Sequence, residues 1–386
     1  MKIIEVYSAE TKKAFFDVAK RIYKNDKNWT CPLDMEIESV FNPDENTCFR
    51  NGEAIRWILK DGTGKLIGRT AAFVDYNKAK ANEQPTGGIG FFECVDNQQA
   101  ANMLFDTAKN WLQQRGMEAM DGPINFGENY MNWGLLVDGF IHQAYGIQYH
   151  LPYYKNLFEN YGFKVFYNQF GYHLNPMEFP IDRFSRITKW SEQRGGFSYK
   201  QFQFAEIDKF VDDFVVIFNQ VWQSFKKDYS PLDRVDILKM FQNAKPIVDV
   251  RLVWFAYHHN KPIGMAVMFP DVNQVFKRLN GKLNFINMLR FAWLKWRKTI
   301  NRTRVILLGV MPEFQKSGIE AGLIAKMYPP FESGDYKQIE ISWVGDFNTK
   351  MRKMAESINA KHVVTHSTYR YLFDRKKEFK RYPMDT

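Results

Sequence analysis

RVILLGVMPEFQKSGIEAGLIAK, running from Arg304 to Lys326, decides how this chain is read. Val305, Ile306, Leu307, Leu308 and Val310 make an apolar run interrupted only by Gly309, the pattern of a strand covered on both faces. Pro312 ends the run, because proline has no N–H to give to a ladder. Gln315, Lys316, Ser317 and Gly318 then form a loop into a helical segment that carries Ile319, Gly322, Leu323, Ala325 and Lys326. A strand that feeds a helix through a glycine-containing loop leaves backbone N–H groups pointing outward. The positive end of the helix dipole adds to them, and together they suit a phosphate. Lys316 supplies one more positive charge. The same residues also suit a plain strand–turn–helix with no ligand.

Outward from this stretch, the chain has 386 residues, more than one core holds and a natural length for two domains. Hydrophobic residues at 45% and charged residues at 25% predict a soluble globular protein. No apolar run reaches the roughly 18 residues that a membrane span needs, and the start, MKIIEVYSAETKKAFF, lacks a signal-peptide core. Cys31, Cys48 and Cys94 are scattered and odd in number. They predict a reducing, cytoplasmic setting and show no zinc spacing, so no metal site is expected. The charge is uneven. Residues 1–190 hold 21 Lys+Arg against 23 Asp+Glu, and residues 191–386 hold 32 against 20, which places +12 in the half containing the loop and −2 in the other. A polyanionic ligand, a nucleic acid or an anionic membrane surface would each be drawn to that second half.

Read in order, the two halves repeat one pattern. In the first, a strand at 1–7 precedes a helix capped by Ser8; strands at 54–59 and 66–75 join at Asp61-Gly62-Thr63-Gly64; a third strand covers 87–95. An amphipathic helix at 97–114, a strand at 118–121, a helix at 151–161 ended by Gly162 and a strand at 163–173 follow. In the second, a strand at 198–204 precedes helices at 207–225 and 235–243. Strands at 251–257 and 262–269 join at His259-Asn260-Lys261, and the opening stretch, a strand at 338–344, a helix at 348–358 and a strand at 361–369 complete it. The repetition predicts a tandem duplication, with domains at 1–175 and 198–386. The linker falls at 176–197, which holds Pro176, Pro180, Gly195 and Gly196.

The opening stretch resembles the acyl-CoA-binding motif of the GNAT acyltransferase superfamily, a strand followed by Gln/Arg-x-x-Gly-x-Gly/Ala. Gln315 and Gly318 match it, and Glu320 stands where the family has a small residue. A later family pattern, Asn-x-x-Ala-x-x-x-Tyr-Glu-x-x-Gly-Phe, is split between the halves. Phe158-Glu159-Asn160-Tyr161-Gly162-Phe163 fits its end, and Asn348 with Ala355-Glu356 fits its start. The resemblance implies a mixed α/β fold with mostly antiparallel sheets and two tandem GNAT-like domains. It further implies acetyl-CoA or another acyl-CoA as co-substrate, and acetyl transfer to a small-molecule or peptide amine. The thioester carbonyl would be held by a backbone N–H in Leu308, Gly309 or Val310. The pyrophosphate would lie on Gln315, Lys316, Ser317, Gly318 and Ile319, with Asn348 opening the late helix. Ala355 occupies the place of the tyrosine that the family often uses as an acid. Glu340, on the neighbouring strand, is then the candidate base, and Tyr369 a further candidate. The first half resembles a domain that has lost its cofactor: its strand at 87–95 runs into Asp96-Asn97-Gln98-Gln99-Ala100 with no glycine to open a loop, and Asp96 is placed to cap the helix.

Two other readings remain open: a non-catalytic tandem protein that uses the fold for binding, and a resemblance to the FemABX branch, which would bring an aminoacyl-tRNA donor. Otherwise no nucleic acid is expected. Residues 271–303 form a basic insert with eight Lys/Arg and one acid, Asp271, and with Phe285, Leu289, Ala292 and Trp296 at helical spacing. Such a helix can lie on a membrane surface through 285–300, or lid the CoA or the acceptor site. The favoured reading packs its apolar face on its own domain and leaves its charges solvated. Gly122 to Gly139 reads as a long glycine-rich loop. His258-His259 reads as a surface turn.

Overall fold

A computed structural model of the chain describes residues 1–80, 83–127, 131–193, 195–223 and 232–384. The first half runs β1 (Lys2–Glu5), α1 (Ala9–Ile22), α2 (Asp34–Val40), β2 (Gly52–Lys60), β3 (Leu66–Asp75), α3 (Tyr76–Lys80), β4 (Thr86–Cys94), α4 (Gln98–Gln113), β5 (Ala119–Gly122), β6 (Leu135–Asp138), α5 (Tyr154–Tyr161) and β7 (Lys164–Leu174). After α6 (Ile181–Gln193), the second half runs β8 (Phe197–Gln201), α7 (Ile207–Gln223), α8 (Arg234–Ala244), β9 (Val253–His258), β10 (Lys261–Pro270), α9 (Asn273–Phe276), α10 (Phe285–Trp296), β11 (Arg302–Val310), α11 (Ile319–Met327), α12 (Pro329–Glu332), β12 (Gln338–Gly345), α13 (Thr349–Ser357) and β13 (Lys361–Leu372).

Local chemistry fixes several of these ends. Ser8 and Thr11 close a reciprocal cap at the start of α1. Gly162 ends α5 at φ 107°, a left-handed position that carries no Cβ penalty. His259 and Asn260 take φ 47° and 64°, the two left-handed residues of a tight hairpin, so the His258-His259 pair is spent on the turn between β9 and β10. Asn97, not Asp96, caps α4, its side chain accepting from Ala100 N–H. The linker region contains a helix: α6 begins directly after Pro180, because a proline next to a first helical turn starts a helix as readily as it marks a loop. The glycine-rich loop contains a strand, β6, paired with β13. The last two residues of the helix read at 207–225 lie outside the described residues.

The thirteen strands among the described residues join one mostly antiparallel sheet, ordered β1-β2-β3-β4-β5-β13-β7-β12-β11-β10-β9-β8, with β6 against β13. The order is symmetric about the β13/β7 pair. Each half contributes five strands in the same sequence, with its fourth and fifth parallel, and its last strand sits on the far side of the centre. β13, from the end of the chain, pairs with β5. β7, from the first half, pairs with β12. The packing follows: Tyr369 of β13 lies in the core built on α4 and α5, and Tyr172 and Leu174 of β7 lie in the core built on α7 and α11.

The insert departs from its expected packing. Along α10 only Leu294 is buried, with Asn287 and Phe291 half-buried, and every other side chain faces outward. Phe285-Ile286-Asn287-Met288-Leu289-Arg290-Phe291-Ala292-Trp293-Leu294-Lys295-Trp296 is apolar around most of its circumference, more than one buried stripe takes up. No described helix is long and apolar enough to cross a membrane.

Candidate functional site

β11 and β12 pair only from Arg302↔Gln338 to Val305↔Ile341 and then part. β11 stays on β10 as far as Gly264↔Val310. β12 follows β7, through an irregularity between Ile341 and Val344 where Trp343 takes φ 62°, a conformation rarely held by a bulky residue. Residues 306–310 therefore have no partner strand on the β12 side among the described residues. Val305, Ile306, Leu307 and Leu308 are half-exposed although they lie near the middle of the second half's sheet. A gap of this kind offers apolar walls and backbone N–H groups that no ladder uses.

The loop beyond Val310 combines two left-handed residues, Lys316 at φ 66° and Gly318 at φ 87°, with the start of α11 at Ile319. Gly318 supplies no side-chain cap, so the first N–H groups of α11 are left to the loop. Gln315 Nε2 donates to the Val310 carbonyl at 3.2 Å, and Ser317 Oγ to the Phe314 carbonyl. Beside the loop is a shallow groove of about 720 Å³, lined by Arg183, Arg186 and Trp190 of α6, by Lys316 and Gly318, and by Met354 of α13. Glu320 also faces this groove, at the position where the motif expects a small residue, and burial raises its carboxyl above the usual range. Asn348 caps α13, accepting from Met351 N–H at 3.1 Å.

Glu340 is 4% exposed and lies between Arg304 and His173 across three adjacent strands. Its Oε2 is 3.5 Å from His173 Nε2 and 3.9 Å from Arg302 Nη1. Burial opposes ionisation, but His173, Arg302 and Arg304 outweigh it and hold the carboxyl below its ordinary value. Arg302 also donates to Asp271 Oδ2 at 2.9 and 2.7 Å and to the His142 carbonyl at 3.1 Å. Arg304 donates to Ser342 Oγ at 2.8 Å and to the Tyr145 carbonyl at 2.7 Å. His366 Nε2 donates to the Gln148 carbonyl at 2.8 Å. Burial pulls His366 down to about 4; at His142 burial and then Arg302 do the same. Tyr369 is separate from this cluster. Its ring lies in the first-half core, and its hydroxyl donates at 3.0 Å to Oε1 of Glu159, an exposed residue of α5. The structure thus gathers Leu308 to Ile319 around one gap and loop, sets Glu340 at the root of that gap, and puts Tyr369 in the other half.

The first half parts in the same way, β4 and β5 pairing only from Thr86↔Ala119 to Gly88↔Asp121. Here the chain fills its own gap. Cys94 N–H donates to Tyr154 Oη at 3.2 Å, and Tyr154 is wholly buried. Tyr154 and Tyr23 donate to Glu93 Oε2 at 2.6 and 2.7 Å, and Arg69 Nη2 lies 3.5 Å from Glu93 Oε1. Burial raises Glu93 despite Arg69. On the α1–α2 side lies a cavity of about 430 Å³, its lining including Trp29, Arg69, Phe91, Glu93, Phe126 and Phe276. Sequence reasoning missed this buried pair. Its only signal is one glutamate and one arginine inside otherwise apolar strands, Glu93 in β4 and Arg69 in β3.

Three solved structures share the architecture. A glucosamine N-acetyltransferase region of a fungal multi-domain GH3 β-N-acetylglucosaminidase superposes over 96% of this chain with a TM-score of 0.57 at 11% identity, the chain spanning 38% of that protein. A tandem GNAT protein from the clavulanic acid biosynthesis pathway covers 97% of this chain and is itself covered over 99%, with a TM-score of 0.55 at 9% identity. This chain is a tandem GNAT-fold protein. A GCN5-related N-acetyltransferase from Sphaerobacter thermophilus agrees, with 98% of each chain covered and a TM-score of 0.51 at 10% identity. No family model matches the sequence. Two curated proteins are similar along nearly their whole length. The bacterial ceramide synthase of Caulobacter vibrioides is 29% identical over 96% of this chain and 97% of its own. Protein YghO of Escherichia coli is 25% identical over 92% of each.

Proposed function

We propose that this GNAT-fold protein is an acyl-CoA-dependent N-acyltransferase that works in the gap between β11 and β12. Its proposed acceptor is the primary amine of a long-chain amino alcohol. The observation that carries the reading is the parted β11/β12 pair, with half-exposed apolar walls leading to a loop of two left-handed residues at a helix N-terminus. Such a loop suits a pyrophosphate, and Lys316, Arg183 and Arg186 surround it with positive charge. The acceptor class is supported by the similarity to a protein named for ceramide synthesis. A ceramide is the fatty amide of a long-chain amino alcohol.

In this reading the amine nitrogen attacks the thioester carbonyl carbon, the C–S bond breaks, and the proton lost from nitrogen ends on the departing thiol. The products are one amide and one free CoA. The chain supplies proximity and backbone N–H donors in Leu308, Gly309 or Val310 to the developing oxyanion. Gln315, Lys316, Ser317, Gly318 and Ile319 hold the phosphates, and Asn348 fixes the start of α13 on the far wall. Glu340 is assigned to balancing Arg302 and Arg304 at the root of the gap, and Tyr369 to the first-half core. The first half, its gap closed by Tyr154, supports the second.

The test offers the purified chain acetyl-CoA, longer acyl-CoAs and a long-chain amino alcohol, following free thiol with a thiol reagent and amide by mass spectrometry. The expected result is one thiol released per amide formed. Stabilisation by CoA without turnover on any amine would replace this reading with a binding protein, and transfer only from aminoacyl-tRNA would replace the donor.

A further inference from the structure

We propose that α10 docks the protein on an anionic membrane surface, the helix lying in the headgroup layer with its apolar side chains in the acyl boundary. Within its twelve residues, Phe285 is 69% exposed, Ile286 73%, Met288 48%, Leu289 57%, Trp293 54% and Trp296 76%. Scattered exposed apolar residues need no explanation, but six on three turns form one contiguous patch. Tryptophan also favours the level of the headgroups.

The helix is pinned in place. Asn284 caps it, accepting from Asn287 N–H at 3.0 Å, and Asn287 Nδ2 donates back to the Leu279 and Lys282 carbonyls. Arg290 donates to the Arg278 carbonyl, Lys295 to the Pro246 carbonyl, and Phe291 packs on Phe276 with ring centroids 5.8 Å apart. The apolar face is therefore held outward by contacts along the helix's inner edge.

Charge selects the occupant. Lys277, Arg278, Lys282, Arg290, Lys295 and Arg297 are exposed around the patch, and Lys298 beside them is paired with Asp335. The insert's single acid, Asp271, is buried against Arg302. A second copy of the chain would bring these six cations against six, which opposes self-association through this face. A sheet of anionic headgroups over an apolar layer matches both the ring and the patch. The anchor also reaches the interior: Phe276, on which α10 sits, lines the 430 Å³ cavity of the first half.

The experiment is co-sedimentation of the full chain with phosphatidylcholine vesicles, with and without about one-third phosphatidylglycerol, together with tryptophan emission. It uses no donor or acceptor, so its outcome is independent of acyl transfer. The wild type is expected to bind the anionic vesicles with a blue shift, and to lose binding as salt rises. The variant Ile286→Ser/Leu289→Ser/Trp293→Ser/Trp296→Ser should partition at least about tenfold less, with an unchanged urea midpoint because all four side chains are mostly exposed. Lys277→Glu/Lys282→Glu/Arg297→Glu should lose the preference for anionic lipid. The proposal is overturned if the wild type binds neither vesicle, if it binds both equally, or if the serine variant binds as well as wild type. A wild-type dimer by light scattering that the serine substitutions convert to monomer, without vesicle binding, would also overturn it.

Discussion

Replacing Glu340 by glutamine separates two roles for this residue. As a general base it would set a pH limb on turnover; as the balance for two buried arginines it would set stability. The cluster holds two acids, Asp271 and Glu340, and two guanidinium groups, Arg302 and Arg304, all buried. Glu340→Gln keeps the shape and removes one negative charge, leaving a net positive charge out of water. Breaking a buried pair costs about 3–5 kcal/mol. The low end applies here, about 3 kcal/mol, because Arg302 keeps both bonds to Asp271 and Arg304 keeps Ser342 and the Tyr145 carbonyl. In urea, that is a fall in midpoint of about 1 M if the slope is about 3 kcal/mol/M. The sign with pH follows from the lowered carboxyl. Its contribution is complete above the unfolded value near 4.5 and is lost as pH falls through the lower folded value. The gap between wild type and variant should therefore be full at neutral pH and close in strong acid. Equilibrium unfolding by tryptophan fluorescence at several pH values, run beside the pH–rate profile, is the assay. A variant with the wild-type midpoint that loses the ascending limb of the rate profile would refute the argument and make Glu340 the base.

Three further outcomes are expected. At Gly318, φ 87° and a Cβ that would lie 2.8 Å from Ile187 Cγ2 mean that Gly318→Ala should cost about 1–2 kcal/mol in urea, and Gly318→Glu should abolish stabilisation by CoA in a thermal-shift assay; full CoA stabilisation in the glutamate variant removes the loop from the site. Tyr154→Phe deletes the hydroxyl bonded to Glu93 and Cys94 and should cost about 1–3 kcal/mol of stability with turnover intact, whereas a fall in kcat at full folding would move the chemistry to the first half. His366 is held neutral by burial, its value lowered from 6.5 to about 4, so the unfolded chain takes up the proton first as pH falls. The stability of wild type relative to His366→Gln should then drop by about 3 kcal/mol between pH 6.5 and 4, and a flat difference across that window contradicts a buried neutral imidazole.

The strand, loop and helix of 304–326 were legible because proline, glycine and an apolar run act locally, each through its own backbone constraint. The same holds for the hairpin at His259-Asn260 and the cap at Ser8. What local chemistry does not carry is the partner. Alternation in 163–173 and 361–369 marks strands, but nothing in either segment says that each completes the sheet of the other half. Glu340 was visible on its strand. Its neighbours, Arg304 and His173, come from different strands and appear only once the register is set. α6 was hidden by its own start signal, Pro180, read as a break. The basic insert failed for a different reason: a helix apolar around most of its circumference has the same pattern whether it is buried in protein or left outward for another phase.

The exchange of β7 and β13 ties the gap to the half whose own parted pair is bridged by Tyr154. β12 holds β11 through only four residue pairs before they part, so its position depends on its other edge, and that edge is β7 from the first half. The same dependence runs through the side chains. His173 of β7 reaches Glu340, and the segment 142–148 lends its carbonyls to Arg302, Arg304 and His366. An arginine that donates to a carbonyl of the other half fixes the root of the gap at a set distance from that half, since each such bond is lost if either side shifts by more than a fraction of an ångström. The first half thus supplies both the strand beside β12 and the carbonyls that hold the arginines at the parted pair. A parallel pair that parts inside a sheet leaves unpaired backbone groups at a cost, and here β12, after leaving β11, keeps its other edge paired with β7 of the first half as far as Gly345↔Gln169.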